Sequence, residues 1–259
     1  RLEEALWHER TLIMEWRARF DKPGNLSENW LMLHLAGGEV RKVLIVRTSA
    51  LGDVAHALSS LDALRSLFPT AEISWMVEPL GAQLLEGHPK LDHVIVIPRQ
   101  KWKRDARNPL RWPALLLEVL RLARALRHER FDVVLDFHCN LRTAGLLFLT
   151  GGSHRVGFHR SDVAEPGGGL LTTHKAPRQP LRVSKVEVNL SLVRELGFTG
   201  KCPGGTLRIP EEDRMYARSR VSSLEGSGPT IALHPATSRF GEIKRWPVEH
   251  FRRLIDILR

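Results

Sequence analysis

With 259 residues, 29.4 kDa and 42% apolar side chains, the chain can build one large or two ordinary domains with a real core. The 39 basic and 29 acidic residues leave a formal charge of +10, which calls for an anionic partner: nucleic acid, a phosphorylated substrate or a membrane surface. Only Cys139 and Cys202 are available for thiol chemistry, too far apart for a disulfide framework or a cysteine zinc site, and no apolar run reaches the roughly 18 residues of a membrane span.

Residues 1–40 read as a helical extension, in which Leu2, Ala5, Leu12 and Trp16 are mixed with charges ahead of a turn at Asp21–Asn25. The segment lacks the apolar centre of a signal peptide, and the initial Arg suggests a fragment or a processed product. From Lys42 the pattern becomes strand–helix–strand. Val43–Val46 is a short, continuous, β-branched run, as expected of a strand covered on both faces. Thr48 and Ser49 are candidate caps for a helix carrying Leu51, Val54 and Leu58. Further strands are expected at Glu72–Val77, Val94–Ile97, Phe131–Phe137 and Arg155–Phe158. Helices are expected at Pro113–Leu126, with Leu116, Leu120 and Ala123 on one face, at Leu141–Leu149 and at Val183–Leu196. The stretch Glu165–Pro180 reads as a long loop and Gly197–Pro210 as a linker.

A second α/β unit is expected to begin after the linker, with a helix near Glu211–Leu224, a strand at Thr230–His234 and a helix at Pro247–Leu258. One such repeat cannot bury both faces of a sheet, so this domain is expected to be truncated. The division is therefore 1–40 extension, 41–200 Rossmann-like domain, and 201–259 the beginning of a second one.

Asp53 is the most interesting polar residue, because it stands just past the carboxyl end of the first strand, where open α/β sheets bind ligands. It either satisfies amides at a helix start or acts as a general base. Arg99, Lys101, Lys103, Arg104, Arg107 and Arg111, interleaved with Trp102 and Trp112, form either an anion-binding patch or a solvated basic loop. Asp136, His138 and Arg142 follow the fourth expected strand, where His and Arg can bind phosphate or sugar oxygens or simply cap a helix. Thr237, Ser238 and Lys244, ahead of a helix start at Pro247, have the donors of a phosphate cradle or of an ordinary capped loop. The first loop has one glycine, which excludes a Walker A loop and GxGxxG, and no DxD, HExxH or cysteine cluster offers a metal site. A basic nucleic-acid module is the competing class, but no RNP-type aromatic strand or recognition helix is evident.

The run VLIVRTSALGDVAHAL at Val43–Leu58 resembles the opening signature of the lipopolysaccharide heptosyltransferases, glycosyltransferase family 9. SWMVEP, IPRQKWKR, VLDFHCNLRTAG, RVGF, Glu165-Pro166, VEVNLSLV, HPATS and KRWPVEHF follow in the family's order, so the likeness covers residues 41–259. The resemblance implies an α/β fold of GT-B type, with an acceptor-binding Rossmann-like N-terminal domain and a nucleotide-sugar-binding C-terminal one. It implies Asp53 as catalytic base. It implies Ser49, Gly52, Lys101, Lys103, Arg104, His138 and Arg142 as acceptor contacts, and Thr237, Ser238 and Lys244 as nucleotide-sugar contacts. Heptose would pass with inversion from ADP-heptose to an anionic Kdo–lipid A type acceptor. No metal or cofactor is implied, nor any nucleic-acid partner. The place of work would be cytoplasmic, peripheral at the inner face of the inner membrane. A family 9 transferase using another nucleotide sugar is the alternative. The chain departs from the pattern at His138, where Gln is usual, and in a longer loop between Ser238 and Lys244. Residues 1–40 have no counterpart, and the family's later acidic, glycine and histidine motif lies past residue 259.

Overall fold

The computed structural model describes residues 39–258 except 164, 166, 181, 223–229, 238–240, 243 and 244. Residues 1–38, and with them most of the expected N-terminal extension, lie outside it, as do Ser238 and Lys244. Two compact units are present, one ending at Arg208 and one starting at Ile209.

The first unit is a doubly wound α/β sheet. Its strands are β1 (Lys42–Val46), β2 (Glu72–Val77), β3 (His93–Val96), β4 (Val133–Asp136), β5 (His154–Gly157) and β6 (His174–Lys175), all parallel, in the order β3-β2-β1-β4-β5-β6. The helices are α1 (Leu51–Leu67), α2 (Pro79–Leu85), α3 (Arg99–Asp105), α4 (Trp112–Glu129), α5 (Leu141–Thr150) and α6 (Lys185–Arg194). Alternate strand residues serve opposite faces, as the pleat requires. Val43, Ile45, Ile73, Trp75, Val133 and Leu135 pack with α1 and α6, while Leu44, Val46, Met76 and Val134 pack with Leu126 of α4 and Leu147 of α5. Both faces are therefore dry, and the strands read as unbroken apolar runs for that reason.

Several expectations need correction. The α1 start is not capped by Thr48 or Ser49: the cap position is Ala50, with no side-chain hydrogen bond. Leu116 and Leu120 of α4 point outward, and the inward stripe is Leu122, Ala123 and Leu126. The expected loop at Glu165–Pro180 contains β6, and Gly168 lies so close to Cys139 that a Cβ would stand 1.9 Å from its carbonyl oxygen. The basic stretch is not only a loop, because Arg99–Asp105 is helical. Part of the expected linker is also tied into the first unit. Thr206 donates twice to Asp62, each at 2.9 Å, its carbonyl lies 2.9 Å from His88 Nε2, and Arg208 donates to Glu86 O at 3.0 Å.

In the second unit α7 (Glu211–Ser222) and α8 (Val248–Leu258) form as expected, with Trp246 edge-on to Phe251 at 5.0 Å. The expected strand at Thr230–His234 does not: those residues are exposed and carry no ladder. A strand exists through its hydrogen-bonded neighbour, and among the described residues this unit has no other strand.

Candidate functional site at the switch point of the sheet

The strand order turns at β1, whose neighbours are β2 on one side and β4 on the other. The crevice beyond the carboxyl ends of such a pair is the usual ligand position in open α/β sheets. Here Val46 is in register with Asp136, and Phe137 N donates to Val46 O at 3.0 Å, so the loops after β1 and β4 leave the sheet side by side.

Arg47 follows β1 directly. Its side chain is only 13% exposed; the guanidinium donates to Phe137 O and forms an ion pair with Asp53, whose side chain is 42% exposed in the first turn of α1. A forked, always-charged group can serve both oxygens at once. Asp53 thus stands at the switch point, gripped from beneath and open above. The local sequence pattern does not reveal Arg47 as the partner of Asp53. The available signal was a cation placed directly after a strand with no room for one.

Around this pair, Thr48 Oγ1 lies 3.3 Å from His138 Nδ1, and Thr48 itself stands two residues ahead of the Ala50 cap position of α1. The first amides of α1 are accordingly free of any side-chain cap. Gly52 is exposed, and a Cβ there would meet nothing within 4 Å. Nothing in its packing demands glycine, so its effect is to keep the helix start bare. Ser49 is half-buried beside it.

The loop after β4 is pinned by a buried carboxylate. Asp136 Oδ1 accepts from His138 N and Cys139 N, both at 2.9 Å, and Oδ2 accepts from Thr143 Oγ1 at 2.8 Å. Asn140 and Thr143 complete a reciprocal capping box at the start of α5. Burial raises the Asp136 carboxyl to about 6, against the donors and the Arg47 charge that favour its ionised form. Burial, reinforced by Arg47 and Arg142, lowers His138 to about 4, so its imidazole is neutral at pH 7. Cys139 is buried with its thiol pushed up by burial; it donates to Asp136 O at 3.0 Å and accepts from Phe158 N at 3.2 Å, a structural role.

The basic residues lie along the same carboxyl rim but are not all free. Lys101 is paired with Glu118, which also accepts from Trp102 Nε1 at 2.9 Å and is held below the usual carboxylate range by the two. Arg99 pairs with Glu78 at 2.5 Å, and Glu78 N in turn donates to Thr48 O at 2.9 Å, linking α3 to the loop of Asp53. Buried Asp105 draws in Arg111 at 3.4 Å and Arg104 at 4.0 Å. Four of the six cations, Arg99, Lys101, Arg104 and Arg111, are therefore paired with interleaved carboxylates. Lys103 and Arg104 remain exposed, and Arg142 makes an exposed pair with Glu165 at 3.0 Å.

In the second unit Thr237 Oγ1 lies 3.4 Å from Arg245 Nε, and its carbonyl accepts from the same guanidinium at 3.3 Å. Ser238 and Lys244 are outside the described residues, so the expected cradle is represented by Thr237 alone. Among the described residues no group of three or more His, Cys, Asp or Glu could hold a metal ion. No described helix is long and apolar enough to cross a membrane.

Fold and rim define a doubly wound α/β protein that presents one carboxylate at its switch point. The sequence model of glycosyltransferase family 9 (heptosyltransferase) matches residues 119–259, and the chain belongs to that family. It is 28% identical over 221 residues to lipopolysaccharide heptosyltransferase 1 of Escherichia coli (strain K12), covering 84% of this chain and 64% of that protein. It is 32% identical over 126 residues to lipopolysaccharide heptosyltransferase 1 of Pseudomonas aeruginosa PAO1, covering 48% of this chain and 34% of that one. Among solved structures, the E. coli heptosyltransferase WaaC with ADP-2-deoxy-2-fluoro heptose superposes with a TM-score of 0.60 at 26% identity, over 84% of this chain and 65% of that one. A family 9 glycosyl transferase from Veillonella parvula DSM 2008 shares the fold, with a TM-score of 0.64 at 21% identity over 85% of this chain and 60% of that one. The fold class is thus α/β of GT-B type, and the chain spans just under two thirds of the E. coli relative's length.

Proposed function

We propose that the protein is an inverting glycosyltransferase that moves heptose from ADP-heptose to a Kdo–lipid A type acceptor in lipopolysaccharide core synthesis. It would work as a peripheral protein at the cytoplasmic face of the inner membrane. The observation that carries this reading is the half-exposed Asp53 carboxylate held by Arg47 at the switch point. The names of the relatives support heptose as the sugar and lipopolysaccharide as the product.

In the reaction, Asp53 accepts the proton of an acceptor hydroxyl as that oxygen attacks the anomeric carbon. The bond from that carbon to the diphosphate oxygen breaks, and ADP leaves with the electron pair. One displacement by one activated hydroxyl inverts the anomeric centre. Ser49, Gly52, His138 and Arg142, with Lys101, Lys103 and Arg104 further along the rim, are assigned to the anionic acceptor. Thr237, Ser238 and Lys244 are assigned to the nucleotide sugar, where hydroxyls and an ammonium stabilise the departing diphosphate without a metal.

The test is Asp53→Asn in the full-length protein, assayed against a panel of nucleotide sugars. Transfer from ADP-heptose should fall by about 10²–10⁴, with ADP-sugar affinity retained. Unimpaired turnover in the variant removes Asp53 from the role of base, and preference for another sugar nucleotide replaces the donor.

A further inference from the structure

We infer that the outer face of α4 and the turn before it dock on an anionic lipid bilayer. Leu110 is 91% exposed, yet it does not sit on a loose loop: its amide is held by Asn108 Oδ1 at 3.1 Å, and Pro109 opens a short 3-10 turn, Pro109–Arg111. Buried Asp105 holds that turn through Arg111. The next residue, Trp112, satisfies its indole N–H on Ala106 O at 3.1 Å and leaves its ring 57% exposed. Leu116, Leu117 and Leu120 then continue the exposed apolar surface along α4.

Charge identifies the occupant. Arg121 and Arg124 follow the leucines on the same outward side, and Arg127 lies over the Phe148 ring at 5.8 Å, with that ring itself exposed. A protein partner would need acidic and apolar groups matched to this stripe, whereas leucine and tryptophan backed by arginines is the pattern that enters a headgroup layer of anionic lipids. Topology adds an orientation. The connection from β3 to parallel β4 passes through α4, so α4 runs against the strands and its apolar first turns lie at the carboxyl rim, the end that carries Asp53. A bilayer docked there would bring its own headgroups to the site. The proposal deepens the peripheral-membrane reading above by naming the face that docks, and it rests on the acceptor reading for this orientation.

The test measures co-sedimentation of the full-length protein with vesicles, without donor or acceptor. Phosphatidylglycerol vesicles should bind it at least about tenfold better than phosphatidylcholine vesicles. Leu116→Glu/Leu120→Glu and, separately, Arg121→Glu/Arg124→Glu should each lose about tenfold or more of that binding. Their thermal melts and their transfer to a water-soluble acceptor fragment should stay as in the parent. Vesicle binding by both variants equal to the parent overturns the proposal, as does binding indifferent to lipid charge. Retained binding together with a change from dimer to monomer in the leucine variant assigns the face to a second copy instead. Failure of transfer in the parent protein, with vesicle binding intact, counts against the glycosyltransferase reading alone.

Discussion

Two charged regions share the carboxyl rim of the sheet and differ in how their charge is held. At the switch point the Arg47–Asp53 pair is set by a guanidinium that is mostly out of water and fixed to the backbone of the β4 loop. At the α3 edge the pairs are multiple and more exposed, with Lys101, Arg104 and Arg111 arranged around Glu118 and Asp105. A charge in low dielectric with one fixed partner has a defined direction and suits a group that must meet one proton. Exposed charges with several alternative partners suit recognition of a flexible anion, since each pair contributes little and can be exchanged. The comparison predicts that the two regions respond differently to the same kind of change.

The largest effect is expected from breaking the fixed pair. Arg47→Met should lower kcat by about 10² or more, with acceptor and donor KM little changed, because a carboxylate about 1 Å out of place can cost that much. Arg47→Lys should recover only part of the loss, since an ammonium cannot reach Phe137 O and Asp53 in the same forked geometry. Added guanidinium should restore turnover in Arg47→Met if the role is positioning. Equal kcat for parent and Arg47→Met would place the pair outside the chemistry.

The next effect sharpens the contrast through pH. Asp136 is ordinary in the unfolded chain, near 3.8, and about 6 when folded. The folded state therefore keeps a proton that the unfolded state releases. The stability this provides is complete below about pH 4, fades as the pH rises through about 6 and is then absent. The span corresponds to at most about 3 kcal/mol. Asp136→Asn can still accept from His138 N and Cys139 N, and it carries no proton to lose. Urea unfolding between pH 4 and 7 should show a downward slope in the parent that the variant lacks. Parallel profiles would mean that Asp136 is not the group responsible.

Much of the fold was legible because the sheet is buried on both sides. Runs such as Val43–Val46 and Glu72–Val77 have few other readings. Asp53 was legible by its place after a strand, but its partner was not. The pairing depends on Phe137 O, a backbone group 90 residues away from Arg47, which no local pattern reports. The same holds for Thr48, whose hydroxyl meets His138 across the β1–β4 crevice. In α4 two leucine stripes compete, and spacing alone does not say which one meets the sheet. The strand expected at Thr230–His234 has suitable residues, but a ladder belongs to two strands and cannot be read from one.

The smallest effect is expected at the α3 edge. Reversing Lys101, Lys103 and Arg104 together to Glu should raise acceptor KM by about tenfold and leave donor KM and kcat nearly unchanged. Exposed pairs are each worth well under about 1 kcal/mol, so three of them should shift binding without stopping chemistry. Lys101 should contribute least when changed alone, because its ammonium already belongs to Glu118. Lys103→Glu should contribute more, because its side chain is exposed. The loss should shrink as ionic strength rises, since salt screens exposed charges over about 8–10 Å. The Arg47→Met loss should not shrink with it. If both losses fell together with salt, the two regions would be one electrostatic surface, and the distinction between a fixed pair and an exchangeable edge would have to be abandoned.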